Sequence, residues 1–390
     1  MHDGAYDVVV GSLGGAAPVF LLSAESTPVF SADGAALLFM RKGSLVAQPF
    51  DVTRRALTGE PIPVADTPGY VGRTIAAEPA VSVSASGSLA YVGPIVASAR
   101  VMVFDQAGRS IRTLDVPSGN YRRIAVTRDG RRVALVREIS PVAADLWVVD
   151  DVDKPGLSRL TDASKYVNAV AWAPDGERVA YSATRNGPRD VYVRSLTEAT
   201  EHLLYRSTTW ATDPYSWSSD GRYLLTTDLD PVTNRDILVL SVADPHEPPR
   251  PYLRTPANEV YAQISPDGRW VAYVSDKTGQ PELYVDAFPT PRREVRVTSD
   301  AALTAWWRSD SRQLLIASAD RTQLLVADVQ VAPTLSISTP RVMGRLPKGI
   351  VAGMGLSATG DLQRVVAIVE DTAGAPVTIV EHWTALIDKR

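Results

Sequence analysis

The chain has 390 residues, 40 Lys and Arg against 44 Asp and Glu, and is 45% hydrophobic and 22% charged. A net charge of −4 excludes a general attraction to nucleic acid or an anionic membrane, and the composition predicts a soluble globular protein with ample core. Cysteine is absent, which rules out disulfides, thiol nucleophiles and thiolate metal sites and decides nothing about compartment.

The first apolar run, from Val8 to Ala24, has the look of a signal-peptide core, but Asp3 and Asp7 precede it without a Lys or Arg. The reading favoured is two strands, Tyr6–Leu13 and Pro18–Leu22, split by a Gly-Gly turn. No other stretch approaches the ~18 apolar residues a membrane helix needs.

A short device then recurs eight times: a small residue, Asp-Gly or a relative, and a burst of apolar β-formers. It stands at 31–34 with Asp33 and Gly34, at 84–87, and at 127–130 with Asp129 and Gly130. It returns at 173–176 with Asp175 and Gly176, at 218–221 with Asp220 and Gly221, and at 265–268 with Asp267 and Gly268. Degenerate copies follow at 308–311 and 357–360. Asp bonds its own backbone and Gly accepts a positive φ, so each copy predicts a hairpin turn and these residues are read as structural. Copies 43 to 53 residues apart, each with four strand-like runs, predict a β-propeller. In the unit around 265–268 the runs are Val260–Ile264, Trp270–Ser275, Glu282–Phe288 and Glu294–Thr298. With no linker between units, residues 1–390 are read as one all-β domain of about eight four-stranded blades, alternatively seven. Pairing of N- and C-terminal strands is expected to close the ring. One strand is then left over, which implies either an unpaired terminal strand or a chain cut from something longer.

Several features along the chain invite functional readings. Trp172, Trp217 and Trp307 sit just before their turns and could be ligand platforms, but the repeat favours packing between blades. Six arginines between Tyr121 and Arg137 (Arg122, Arg123, Arg128, Arg131, Arg132 and Arg137) oppose one Asp129; the stretch is read as a solvated rim, with an anion-binding patch as the alternative. Asp228, Asp230, Asn234 and Asp236 form the densest acidic loop, a weak Ca²⁺ candidate that Pro231 and Arg235 interrupt, so a solvated loop is preferred. Asp150, Asp151 and Asp153 form a lesser cluster. Gly353-Met-Gly355-Leu-Ser-Ala358 matches a dinucleotide fingerprint in letters only, since no helix follows to present its amides. The four histidines (His2, His202, His246 and His382) fall in no metal-binding spacing, and no Gly-x-Ser-x-Gly elbow or phosphate loop exists. No catalytic residue, metal or cofactor is therefore assigned.

The wording of the repeat, Ser265-Pro-Asp-Gly-Arg-Trp-Val-Ala-Tyr-Val-Ser275 followed by Glu282-Leu-Tyr-Val285 and Phe288-Pro289, resembles the TolB-type, WD-repeat-like propeller. More narrowly, Gly43–Asp51, Leu57–Val64, Thr255–Glu259 and Val377–Leu386 resemble the C-terminal sensor propeller of bacterial Ser/Thr protein kinases. The kinase signatures are missing, so no kinase activity transfers to any residue. The resemblance implies a binding or sensing module for a protein, peptide or small ligand at the channel mouth, monomeric and extracytoplasmic. The alternatives are the propeller of a prolyl-oligopeptidase-like peptidase lacking its hydrolase domain, or a propeller enzyme. Three or more ionisable groups converging within hydrogen-bond reach in the channel would favour the enzyme.

Overall fold

The computed structural model describes residues 6–11, 17–31, 35–66, 70–71, 78–84, 86–92, 99–140, 143–154, 156–162, 166–185, 187–331, 334–351, 354–370 and 377–386. Regular structure among them is β-strand apart from a 3-10 turn at Trp383–Leu386. Among the described residues no helix is long and apolar enough to cross a membrane. The chain divides into two compact units, Ser98–Asp371 and Met1–Ala97 joined by Thr372–Arg390.

In the larger unit six antiparallel strand groups, called sheets below, follow one another, the first two joined by a parallel pairing of Ala144 with Tyr166. Five begin with the strands β1 (Asn120–Val126), β2 (Tyr166–Trp172), β3 (Thr212–Trp217), β4 (Glu259–Ile264) and β5 (Ala302–Trp307), each paired to the strand that follows it in the chain. The sheet begun by β4 continues through Trp270–Ser275, Glu282–Ala287 and Val295–Arg296, almost the runs predicted from sequence. The sixth sheet is assembled from both ends of the unit. Its strand β6 (Leu356–Ala358) pairs with Arg364–Glu370, which pairs with Ala99–Asp105, which pairs with Ser110–Thr113.

Each sheet is apolar on both faces because it must pack on two neighbours. Tyr181 and Val179 of the second sheet meet Leu146 and Val136 of the first, and Trp217 and Leu224 of the third meet Val191 and Leu204 of the second. The pattern repeats with Ile237 against Tyr273 and Leu283 against Trp307. Trp306 and Leu315 of the fifth sheet then meet Phe104, Leu356 and Val365 of the sixth. Val101 and Val366 of the sixth meet Tyr121 and Leu135 of the first.

This differs from the expected closure by terminal strands. Tyr6–Val10 and Val19–Ala24 pair with each other, and Val377–Val380 pairs with Leu89–Val92. Ala99–Asp105 pairs with Arg364–Glu370, so strands from the two ends of the larger unit share one sheet. The motif near 84–87 belongs to the other unit. A turn has the same local chemistry whichever ring it serves, so its period counts hairpins and is blind to which of them share an axis.

The turns are built alike. Thr127 Oγ1 donates to Asp129 Oδ1 at 2.6 Å, Asp129 accepts the Arg131 N–H at 2.9 Å, and Gly130 takes φ 74°. Ser218 with Asp220 and Ser265 with Asp267 repeat the hydroxyl bond at 2.5 and 2.6 Å. The Ser218 hydroxyl holds the Asp220 carboxyl below the usual range, and the Arg308 guanidinium does the same for Asp310. Asp33 and Gly34 lie outside the described residues. The last copy sits two residues later than its sequence frame: Thr359 Oγ1 donates to Asp361 Oδ1 at 2.5 Å, and Leu362 takes the positive φ of 59°. Leu362 is almost fully buried between the fifth and sixth sheets, so burial of its side chain offsets the left-handed strain that Gly avoids elsewhere. A Cβ on Gly130 would lie 2.7 Å from Thr359 Cγ2, so this turn needs glycine for space as well as for φ.

In the smaller unit the predicted N-terminal strands form the hairpin Tyr6–Val10 with Val19–Ala24. Ala36–Arg41 and Ser44–Asp51 form the centre of a five-stranded sheet, and Val81–Val83, Leu89–Val92 and Val377–Val380 form a three-stranded one. Leu38, Met40, Leu45, Leu89 and Trp383 share one core between these sheets.

Candidate ligand-binding channel

The six inner strands of the larger unit surround a cavity of about 140 Å³, lined by residues of β1 to β6 and of the turns that follow them. A continuous strand would alternate its side chains between the two neighbouring sheets. Five of the six inner strands instead shift register in their first half: β1 between Tyr121 and Arg123, β2 between Val167 and Val170, β3 between Pro214 and Ser216, β4 between Val260 and Gln263, and β5 between Ala302 and Thr304. Bulges of this kind re-aim a side chain, and they repeat here at one level of the unit. Tyr261 pays for its place with φ 57°.

A polar cluster sits at that level. Asp213 on β3 accepts hydrogen bonds from Arg189 Nη2 at 3.1 Å, Asn168 Nδ2 at 2.9 Å and Ser182 Oγ at 2.6 Å, with Arg189 Nε 2.9 Å away as an ion-pair contact. Burial pushes its carboxyl upward, but Arg189, Arg123 and these donors outweigh burial and hold it below the usual range. Arg122 is paired with Glu138. Arg123 has no ion pair or hydrogen bond among the described residues, although it lies within electrostatic reach of Asp213, Tyr215, Tyr261 and Tyr166. Burial works against its charge, and the Asp213 carboxylate favours it. Tyr215 and Tyr261 meet edge to face at 5.5 Å between ring centres. Burial raises the Tyr166 and Tyr215 phenols above their usual value, so both are neutral donors at physiological pH.

The tryptophans do structural work at the other end of the same strands. Trp172 Nε1 donates to Ala125 O at 3.0 Å, Trp217 Nε1 to Ala171 O at 3.3 Å, and Trp307 Nε1 to Gln263 O at 3.1 Å. Each indole latches its strand to the preceding inner strand, in keeping with the packing reading.

Arg254 lies among the acidic-loop residues, 3.1 Å from Asp236 and 3.8 Å from Asp230. Asp228 is buried against Thr209 and Thr212, and Asn234 takes φ 73° in the hairpin between paired strands. Among the described residues no three His, Cys, Asp or Glu side chains are grouped to hold a metal ion. Asp153 pairs with Arg112 at 2.9 Å, apart from any such group. Gly353 lies outside the described residues, and the residues after Gly355 form β6. The arginine stretch divides. Arg132 donates to Gly176 O at 2.6 Å and Arg137 to Ser118 O at 3.3 Å, while Arg123 enters the channel.

Sequence reasoning missed a paired constellation on the outer strands. Tyr181 stacks on Tyr192 at 5.7 Å, its hydroxyl bonds to Glu201, and Arg185 covers Tyr192 at 3.9 Å. Tyr273, Tyr284, Glu294 and Lys277 repeat the set two sheets on, with ring centres 5.8 Å apart and Lys277 3.8 Å over Tyr284. The signal was present, since Tyr181 and Tyr273 each stand five residues after their turn glycine. A constellation that occurs twice in a repeat serves the scaffold. In the cluster, among the described residues, Arg189 and Asp213 are ionisable groups within hydrogen-bond reach of each other.

Glu259, the first residue of β4, is 2% exposed; Oε1 accepts the Thr255 hydroxyl at 2.5 Å and Oε2 has no partner. Burial raises its pKa, the Asp236 and Asp276 charges act in the same direction, and the Thr255 bonds oppose them less strongly. A carboxyl raised in the folded state binds its proton more tightly there than in the unfolded chain, so its contribution to stability grows as pH falls through the raised value. Glu259→Gln is therefore expected to stabilise the protein by about 1 kcal/mol at pH 7 and by nothing at pH 4, read from urea midpoints. A variant weaker than wild type at pH 7 refutes this.

No family model matches the chain, and no curated protein matches it. Solved structures do. A putative TolB from Agrobacterium tumefaciens aligns over 70% of this chain and 98% of its own, at 16% identity and a TM-score of 0.52. TolB from Acinetobacter baumannii aligns over 89% and 80% at 13% identity and 0.43. The β-propeller domain of Myceliophteria thermophila Cps50 (Swd1) aligns over 68% and 88% at 15% identity and 0.44.

Proposed function

We infer that the chain acts as a recognition module on an all-β, TolB-like β-propeller fold. We propose that residues 98–371 form a six-bladed wheel whose central channel is the ligand-binding surface of a non-enzymatic recognition module. The observation that carries this reading is the row of bulges on five of six inner strands, which gathers Arg123, Asn168, Tyr215 and Tyr261 around one axis. Rigid blades present such side chains without a folding step on binding. The sensor role in a kinase-type signalling protein, with the extracytoplasmic placement that goes with it, is a narrower proposal supported by sequence segments alone. Three of those segments, Gly43–Asp51, Leu57–Val64 and Val377–Leu386, lie in the smaller unit.

Affinity capture from the source cell tests the reading, with the wild-type chain compared against Tyr215→Ala/Tyr261→Ala of equal folded content. A partner kept by the wild type and lost by the double variant supports the channel. Capture indifferent to both tyrosines refutes it.

A further inference from the structure

The channel cluster carries more positive charge than it balances. Arg189 and Arg123 face the single carboxylate of Asp213, and that carboxylate is already engaged by Arg189, Asn168 and Ser182. The adjacent Arg122 and Glu138 neutralise each other. Arg123 is thus left with a guanidinium that has no protein acceptor among the described residues. Tyr215 lines the same cavity, Tyr166 and Tyr261 lie within electrostatic reach of Arg123, and the three hydroxyls likewise have no hydrogen-bond partner among the described residues. Every free group in this set can donate: one planar fork of N–H bonds and three O–H bonds. At the far end of the same cavity Arg128 contributes a second guanidinium, whose one bond is to Ser219 Oγ at 3.2 Å.

A partly buried cation without a hydrogen-bonded counter-charge is unfavourable, and a cluster of unengaged donors is complementary to an oxyanion. We propose that the channel binds a small organic oxyanion, a carboxylate or a phosphate, through bidentate bonds to Arg123 and hydroxyl bonds from Tyr215 and its neighbours. This rests on the channel reading above and names the chemistry of its ligand. The guanidinium fork matches both anions, and a cavity of about 140 Å³ suits a small acid better than a polymer. The Trp172, Pro174 and Pro266 walls give an apolar body a surface to lie on.

Calorimetric titration of the full chain in low-salt Tris chloride, with inorganic phosphate in one arm and succinate in the other, tests the assignment. Saturable binding at one site is expected in at least one arm, and the stronger arm tells phosphate from carboxylate. Arg123→Gln is expected to weaken it tenfold or more, since a bond to a charged group is lost. Tyr215→Phe removes only a hydroxyl and is expected to weaken it several-fold, and it remains informative if Arg123→Gln folds poorly. Arg137→Gln, outside the channel, leaves binding unchanged. The proposal is overturned if neither anion saturates, or if both channel variants bind as the wild type does. Partner capture that depends on the tyrosines with no anion binding would overturn this inference alone. Anion binding with capture indifferent to the channel would overturn the recognition reading and leave this one standing.

Discussion

Phe104→Ala is expected to destabilise the larger unit by about 3–5 kcal/mol, the range for deleting a fully buried aromatic ring. Phe104 is 2% exposed and lies on Ala99–Asp105, the strand that the beginning of the unit contributes to the sixth sheet. Its ring packs with Trp306, Leu315 and Leu324 of the fifth sheet and Leu356 and Val365 of the sixth. No residue from a sequence-adjacent strand can move into the space, because the neighbouring sheet reaches this point from the other end of the unit. Closing so long a loop is an entropic cost that is met late in folding, so the lost contacts should mainly accelerate unfolding and leave the folding rate nearly unchanged. Seven of the eight tryptophans lie in this unit, which makes fluorescence in a urea titration a direct reporter of its stability. Phe30→Ala, at a residue 46% exposed in the smaller unit, is the control and should change stability by less than about 0.5 kcal/mol. A loss below about 1 kcal/mol for Phe104→Ala would mean that this junction does not hold the sheets together.

The repeat made the blades legible and hid the ring. Strands such as Trp270–Ser275 were readable because alternation of period two, flanked by an Asp-Gly turn, is a local property of the sequence. Closure is not local. The pairing of Ala99 with Glu370 depends on which apolar strand edges remain after all others are satisfied, and nothing near either residue marks it. The shifted last turn shows the same limit in small. Ser357-Ala-Thr-Gly360 has a glycine in the expected place, yet it is Asp361 that accepts the hydroxyl bond, and buried Leu362 occupies the left-handed position. The channel cluster was half visible. Arg123 stood out only as one of six arginines, and its neighbours Asp213, Tyr215 and Tyr261 come from strands that share an axis without sharing a motif. Bulges leave no residue signature, so the device that turns these side chains into one place had no counterpart in the pattern.

Asp213→Ala is expected to cost about 3 kcal/mol, the low end of the range for removing one partner of a buried ion pair. The placement at the low end follows from geometry, since the Arg189 side chain keeps 22% exposure and the Asp213 side chain 13%. Removal leaves Arg189 Nη2, Asn168 Nδ2 and Ser182 Oγ without their acceptor and turns a cluster of net charge +1 into one of +2. Asp213→Asn preserves the shape and one acceptor oxygen, so it should cost less, about 1–2 kcal/mol. Adding Arg189→Ala to Asp213→Ala should recover part of the loss, because the second change removes the uncompensated guanidinium, and the size of that coupling isolates the pair from the rest of the cluster. The pH dependence has a definite sign. Asp213 is held below the usual carboxylate value, so its contribution is present above the unfolded pKa near 4 and fades as pH falls through the lower folded value. Wild type and Asp213→Ala should therefore differ most at neutral pH and converge in strong acid. A difference that stays constant from pH 7 to pH 2 would show that the carboxylate acts by its shape alone, and the excess of positive charge in the channel would then lose its physical basis.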